Sequence, residues 1–470
     1  MSSLTSNQLD AAMEAAWAVF LSGALAPADA RSRLLDGLAH ALDAQAAELI
    51  AIADAETHLG TARLTGEVAR TSFQLRMFAR LSMESQTMMS PLWVEAVAGP
   101  PPVGHPALLR DFEPLGPVGM FAASNFPFAF SVLGGDTASA IAAGCPVVVK
   151  GHPGHPRLSA ATALLARKVA QEQQLPEDIL QLVMADGYEL GVSLCQHPLT
   201  AAVAFTGSVQ GGLALWRACQ QRTRPIPFFG ELGSVNPIVV LESALASKGS
   251  SLAEALAASI TMGCGQFCTS PGIVLVPEGT HGDSFRSELA DRLAHATTHP
   301  MLNASIEQNF QRRMWAARQC DLTVLIEPKP GCEVFLAELS AAQFVSQATL
   351  HEEIFGSACL LVRVKGVDEM EQVLATIEGS LTCTLWGLDD DTEPHRRLLA
   401  AARRLAGRVL FSGVPTGVAV SAGMQHGGPF PSSTMPATTS VGPDACLRFL
   451  RPICLQDPPH WVRTRTEQIA

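Results

Sequence analysis

The chain has 470 residues, 47% hydrophobic and 16% charged, against a typical charged fraction of about 25%. That length and composition exclude a small disulfide-stapled module, a disordered chain and a coiled coil, and leave an apolar-rich globular protein of two or three domains. A net charge of −12, with no run of five Lys or Arg, points to neither nucleic acid nor an anionic membrane surface. Taken in chain order, the first question is the uncharged stretch 15–28. Asp10 and Glu14 precede it and the first arginine is Arg31, so it reads as a surface helix and not a secretory signal. Leu34, Leu35, Leu38, Leu42 and Leu49 recur at helical spacing over 30–52, and this helical layer is expected to reach about residue 88. A Pro/Gly-rich connector at 99–106 suits the turn of a hairpin. The uncharged run 114–135 is long enough to span a bilayer, but Pro114, Pro117, Pro127, Gly116, Gly119 and Asn125 argue against a membrane helix.

From Val118 short apolar strands alternate with helices: strands at 118–123, 146–150, 179–184 and 201–206, helices at 132–143, 158–174 and 209–221. A second series starts near Pro237, with a strand at 238–241, a helix at 252–262 and a strand at 273–276, and runs to about Phe411. Such alternation predicts an α/β fold with parallel sheets wound on both faces. Residues 409–443 carry no Asp, Glu, Lys or Arg, but six glycines and five prolines, and are expected to form a long irregular connection. A strand-like alternation at 447–455 closes the pattern.

Eleven cysteines, an odd number without recurring spacing, fit reduced thiols in a cytoplasmic setting better than a disulfide framework. One of them, Cys268 in GQFCTS (265–270), stands in a glycine-flanked, uncharged setting after an apolar helix, which suits either a nucleophile or an inert small side chain. Cys264 would share its face if the helix continued. No ligand set accompanies Cys268 at metal-binding spacing, and His152 and His155 lack a partner pair, so no metal site is expected. Glu231, a lone carboxylate between apolar strands, is either a solvated strand end or a desolvated general base with a raised pKa. Asn125 is either a turn former or an amide donor to an oxyanion. The strand–turn–helix at 201–212 offers Gly207, Ser208 and Gly212 where backbone N–H groups could meet a phosphate, and a plain turn fits equally well.

In order, GPVGMFAASNFPF (116–128), PVVVK (146–150), FTGS (205–208), GELGSVNP (230–237), GQFCTSPG (265–272) and HEEIFGS (351–357) resemble the aldehyde dehydrogenase superfamily over roughly residues 30–455. Within it, GGDTASAIAAGCPVVVKGHPGHP (134–156), SGVPTGV (412–418), HGGPFPSS (426–433) and RFLRPICLQD (448–457) are most similar to α-ketoglutarate semialdehyde (2,5-dioxovalerate) dehydrogenases. They also occur in NADP-linked long-chain aldehyde dehydrogenases. The resemblance implies a dinucleotide-binding domain at 1–91 and 114–231 and a catalytic domain at 232–443. An oligomerisation element at 92–113 and 444–470 would pair a hairpin with the C-terminal strand across subunits of a homodimer or homotetramer. It assigns Cys268 as nucleophile, Glu231 as general base and Asn125 as oxyanion donor. Lys150, Gly207, Ser208, Gly212, Glu353 and Phe355 match cofactor-binding positions, and the 409–443 loop would close over the substrate channel. Phe126, Phe130 and Phe267 would line a substrate pocket.

Three departures bear on this reading. Gly151, His152 and Pro153 follow Lys150 where an NAD-binding acid is usual, which favours NADP slightly over NAD, with His152 beside its 2′-phosphate; no arginine is evident to grip that phosphate, and Tyr188 stands where one could be. Ser357 and Ser412 replace a usual proline and asparagine. The expected reaction is NAD(P)-dependent oxidation of an aldehyde, 2,5-dioxopentanoate in particular, to an acid. A long-chain or general aldehyde dehydrogenase, a CoA-acylating variant, which Glu231 argues against, and a catalytically silent binding member are the rival readings.

Overall fold

Four helices open the chain, α1 (Ser3–Ser22), α2 (Ala28–Ala44), α3 (Ala46–Thr57) and α4 (Thr61–Met83), in a computed structural model that describes residues 3–84, 89–185 and 187–462. Leu34, Leu35, Leu38 and Leu42 bury one face of α2. The continuous helix expected over 30–52 breaks at Gln45, whose φ of −103° and ψ of 12° are not helical, so Leu49 belongs to α3. Within the uncharged 15–28 stretch Ala16, Val19 and Leu25 are buried, as a packed helix requires. Among the described residues no helix is long and apolar enough to cross a membrane.

A hairpin of β1 (Leu92–Val94) and β2 (Leu108–Pro114) leads into a five-stranded sheet. Its strands are β3 (Val118–Phe121), β4 (Val147–Lys150), β5 (Leu180–Val183), β6 (Ala202–Thr206) and β7 (Phe228–Glu231), all parallel, in the order β5-β4-β3-β6-β7. Helices α5 (Gly135–Ala142), α6 (Pro156–Glu172), α7 (Glu189–Gln196) and α8 (Val209–Gln220) connect them. The chain runs outward from β3 through β4 to β5, then returns to β6 on the other side of β3. The carboxyl ends of β3 and β6 therefore form a switch point, where α/β sheets bind ligands. Asn125 lies just beyond one of these ends and Gly207 just beyond the other.

The second sheet has seven strands: β8 (Ile238–Val240), β9 (Ile273–Pro277), β10 (Thr323–Ile326), β11 (Phe335–Ser340), β12 (Ala358–Val364), β13 (Ser380–Trp386) and β14 (Ala406–Leu410). Their order is β10-β11-β12-β9-β8-β13-β14, and only β10 runs antiparallel to its neighbour. The chain is thus α/β with two parallel sheets. Helix α9 (Glu242–Thr261) joins β8 to β9 and starts well before the expected residue 252. The last strand, β15 (Leu450–Gln456), pairs antiparallel with β2, Leu450 facing Pro114 and Gln456 facing Leu108. This corrects the pairing expected across subunits: the hairpin and the C-terminal strand form one three-stranded sheet within a single chain. The buried Arg448, 2.7 Å from the buried Asp136 of α5, ties this C-terminal segment to the five-stranded unit.

Candidate active site

Helix α9 does not carry on to Cys268. Gly263, Cys264 and Gly265 take φ of 56°, 57° and 65° in succession, a left-handed run that turns the chain sharply. A Cβ on Gly265 would lie 2.2 Å from the backbone of Gly356, so that position tolerates glycine alone. Cys264 therefore does not share a helix face with Cys268. Asn236, in the segment between β7 and β8, then holds the loop: its Nδ2 donates to the carbonyls of Cys268 and Ser270, both at 2.9 Å. Its Oδ1 accepts from Ser234 at 2.7 Å and Thr382 at 3.0 Å. Asn125 Nδ2 donates to the Gln266 carbonyl at 3.0 Å, which sets its amide beside the same loop.

Three segments distant in sequence converge here. Glu231 ends β7, Cys268 is half-buried in its loop, and His426 comes from the uncharged 409–443 run. Nε2 of His426 lies 2.9 Å from Glu231 Oε1 and 3.7 Å from Cys268 Sγ, and Ser440 donates to Glu231 Oε2 at 2.7 Å. Thiol, imidazole and carboxylate atoms all fall within 4.8 Å of one another. No ligand set stands near Cys268 in sequence; His426 joins Cys268 and Glu231 only in space, because the long connection crosses to β7. There Leu232 N–H donates to Ser432 O at 2.9 Å and Thr434 N–H to Gly230 O at 3.1 Å. His426 and Ser440 were missed by sequence reasoning; His426 is the one titratable side chain in a run otherwise without charge, and that was the available signal.

Burial pushes the Cys268 thiol well above its ordinary range, and the neighbouring Glu231 carboxylate adds to the effect while Arg70 opposes it. The resting thiol is therefore protonated and needs a base. Glu231 departs from expectation: burial alone would raise its pKa, but His426, Ser440 and Cys268 together hold it below the usual value. It stands ready as a charged acceptor for the thiol proton.

Phe126, Phe130 and Phe267 do assemble. Their rings meet edge to face, Phe126 being 5.4 Å from Phe130 and 5.3 Å from Phe267. Glu67 of α4, 5% exposed, supports this cluster by accepting the N–H groups of Phe128 at 2.8 Å and Ala129 at 3.1 Å. Burial pushes its pKa up to about 7, against those two hydrogen bonds and the nearby Arg63 and Arg70. A folded-state pKa raised above the unfolded one means the folded form holds the extra proton, so its contribution declines as pH rises through 4.5 to 7. Glu67→Gln, which retains the acceptor without the charge, is expected to add about 3 kcal/mol at pH 8 and almost nothing at pH 4.5. Urea unfolding of both forms at the two pH values checks this; an equal difference at both would refute it.

The expected cofactor positions surround the switch point. Ser208 caps α8 by accepting Gly211 N–H at 3.2 Å, and Gly207 and Ser208 lie open to solvent at the helix N-terminus. Gly212 is tight: a Cβ there would come within 2.2 Å of Leu232. Lys150 ends β4, in register with Phe121 of β3. His152 Nδ1 accepts Gly154 N–H at 3.0 Å and its ring stacks on His155. Burial lowers its pKa to about 3, so it is neutral and brings no charge to a phosphate. Glu353 and Phe355 line a recess with Ser234, Val235 and Gly265. Desolvation pushes Glu353 up to about 8, against a backbone hydrogen bond from Ser234 and the charge of Arg313. A helix N-terminus open to an anion and a carboxyl short of donors fit the phosphates and a ribose of a dinucleotide.

The model of the aldehyde dehydrogenase family matches residues 1–434. The chain belongs to the aldehyde dehydrogenase family. Family members use NAD(P), which agrees with the fit of the switch point. Alpha-ketoglutaric semialdehyde dehydrogenase 2 of Azospirillum brasilense is 41% identical over 441 residues, 92% of this chain and 83% of that protein. Alpha-ketoglutaric semialdehyde dehydrogenase of Acinetobacter baylyi is 36% identical over 473 residues, covering 97% and 88%. Among solved structures, aldehyde dehydrogenase 21 of Physcomitrella patens, determined with succinate, superposes with a TM-score of 0.80 at 20% identity, over 96% of this chain and 91% of that one. That likeness establishes the shared fold.

Proposed function

We propose that this aldehyde dehydrogenase oxidises 2,5-dioxopentanoate (α-ketoglutarate semialdehyde) to 2-oxoglutarate through a covalent intermediate on Cys268. The observation that carries the chemistry is the convergence of Cys268, Glu231 and His426 beside Asn125. The similarity to two α-ketoglutaric semialdehyde dehydrogenases supports the substrate. In this reading the five-stranded sheet with its helices, 1–91 and 114–231, holds the dinucleotide and 232–443 supplies the catalytic loop. The three-stranded sheet, 92–113 and 444–470, joins copies into a homo-oligomer; Leu92 and Val94 of its edge strand and the nearby Val97 and Val103 leave apolar surface to cover.

Glu231 takes the thiol proton and the thiolate adds to the aldehyde carbon. Asn125 Nδ2 and the Cys268 backbone N–H stabilise the oxyanion of the thiohemiacetal. A bound nicotinamide would supply the hydride acceptor as the thiohemiacetal oxyanion collapses. That leaves a thioester on Cys268; Glu231, hydrogen-bonded to His426, releases the first proton to solvent, draws a proton from the attacking water and returns it to the departing Cys268 thiolate as the acid is released. Gly207, Ser208 and Gly212 would hold the pyrophosphate, Lys150 and Glu353 the two riboses and Phe355 the nicotinamide ring. With no acid at 151–153 to repel a 2′-phosphate, NADP is accepted as well as NAD.

The test follows reduced-cofactor absorbance with 2,5-dioxopentanoate, succinate semialdehyde and a long-chain aldehyde, each with NAD and NADP, with and without CoA. Turnover fastest with 2,5-dioxopentanoate and independent of CoA is expected. The aromatic cluster of Phe126, Phe130 and Phe267 favours a second reading, a long-chain aldehyde, and a preference for that substrate would displace the first. No turnover with any pair would leave a binding protein on this fold.

A further inference from the structure

Arg63 and Arg70 stand on α4 at a spacing that puts them on one face, two turns apart, with Glu67 between them. Both pack against the aromatic cluster beside Asn125. The Arg63 guanidinium lies 5.0 Å from the Phe126 ring and 4.4 Å from the Phe267 ring, and that of Arg70 lies 5.8 Å from the Phe130 ring. Each is tethered by a single hydrogen bond to a backbone carbonyl, Arg63 Nη2 to Asn125 at 2.6 Å and Arg70 Nη1 to Val418. Arg63 Nη1 and Arg70 Nε and Nη2 are sealed from solvent and have no hydrogen-bond partner among the described residues. The titratable groups that act on Arg70 are Cys268, Glu67 and Glu231.

A guanidinium keeps its charge and presents five donors in a planar fork. Leaving such donors unpaired away from water is expensive, and native structures rarely do so without a reason. Glu67 does not pair them: its Oε1 is committed to the backbone of Phe128 and Ala129, and its Oε2 has no hydrogen-bond partner among the described residues. Two half-buried cations therefore share one carboxylate whose bonds go elsewhere, next to the site where the aldehyde must sit. With only one bond holding each guanidinium, side-chain rotation toward an incoming anion breaks little and satisfies the unpaired N–H groups.

We propose that Arg63 and Arg70 form the subsite for the distal carboxylate of an oxo-acid semialdehyde, Arg70 making the principal contact and Arg63 closing the aromatic side. This rests on the reading of the chain as a semialdehyde-oxidising enzyme and gives that reading its selectivity. The carboxylate forms charge-assisted, fork-like hydrogen bonds while the aldehyde end reaches Cys268. An uncharged aldehyde of the same length gains none of this.

The experiment compares kcat/KM for 2,5-dioxopentanoate and for pentanal in the wild type and in Arg70→Met, Arg70→Lys and Arg63→Met. Because Arg70 also faces Cys268, its loss is expected to slow both substrates, so the ratio of the two constants is the readout. Arg70→Met should lower that ratio on the order of 50-fold, mainly through KM, as expected for losing a charged hydrogen-bonding partner. Arg63→Met should lower it about 5-fold, and Arg70→Lys should fall between wild type and Arg70→Met. Turnover of pentanal by each variant reports that it has folded. A wild-type preference for the semialdehyde that survives unchanged in Arg70→Met and Arg63→Met would overturn the arginine subsite alone. A wild type that oxidises neither aldehyde would overturn the underlying activity, and the subsite with it.

Discussion

Cys268→Ala is expected to abolish aldehyde oxidation, lowering kcat on the order of 10⁴-fold or more, the scale seen when a covalent nucleophile is removed. Nothing else at the site can replace it. The other thiol of the same loop, Cys264, is buried and pushed up to about 11 by that burial, and its left-handed backbone separates it from the helix and from Cys268. The fold should be indifferent to the change, because Asn236 grips the loop through the carbonyls of residues 268 and 270, which alanine retains. A melting temperature near that of the wild type, with neither a burst nor steady-state formation of reduced cofactor, is the predicted pair of results. Turnover within about ten-fold of wild type would assign the chemistry to another residue. Cys264→Ala serves as the comparison and should leave the burst intact.

Glu231→Gln is expected to separate the two halves of the reaction. Acyl-enzyme hydrolysis should slow by about 10²–10⁴-fold, the usual worth of a general base, while a slower first-turnover burst persists because His426 Nε2, 3.7 Å from Cys268 Sγ, takes over the thiol proton. Rapid mixing followed by steady-state assay distinguishes the phases; an unchanged hydrolysis rate would remove Glu231 from that role. The partner variant His426→Asn tests the electrostatics. Desolvation is the largest influence on Glu231 and acts to raise its pKa, and His426 is first among the groups that reverse it. Without the imidazole, burial prevails and the Glu231 carboxyl stays protonated to higher pH. The acidic limb of the kcat profile should then move upward, since activity needs the ionised form. A merely structural histidine would lower activity without moving that limb.

Much of this was legible in the sequence because it is local. Strand–helix alternation from Val118 onward located both parallel sheets, and the motifs around Asn125, Glu231 and Cys268 named groups that the fold does bring together. The unforeseen features are long-range. His426 reaches Glu231 across nearly two hundred residues of chain, only because an uncharged, proline-rich connection pairs with the edge of β7 and not with its own sheet. Its effect also reversed the expected sign of the Glu231 shift, which burial by itself would have set. Nothing in the sequence singles out the arginines of α4, whose role shows only once the Phe126, Phe130 and Phe267 rings are seen against them. Pairing of the C-terminal strand with β2 inside one chain is likewise a matter of register, which alternation at 447–455 does not carry.

The clamp made by Asn236 has a bearing on how this site can change over evolutionary time. A single amide spans the segment that follows the base-bearing β7, the loop of the nucleophile and, through Thr382, strand β13 of the second sheet. Relative placement of base and nucleophile is thereby inherited from the sheet and not from the loop sequence. Residues that only fill the channel can drift, and with them the range of aldehydes admitted. Asn236, Ser234 and Thr382 have no such latitude, because any one of them altered alone leaves a buried donor or acceptor stranded. New substrate ranges on this scaffold should accordingly arise from the channel walls and helix α4, with the three-residue polar link carried along unaltered.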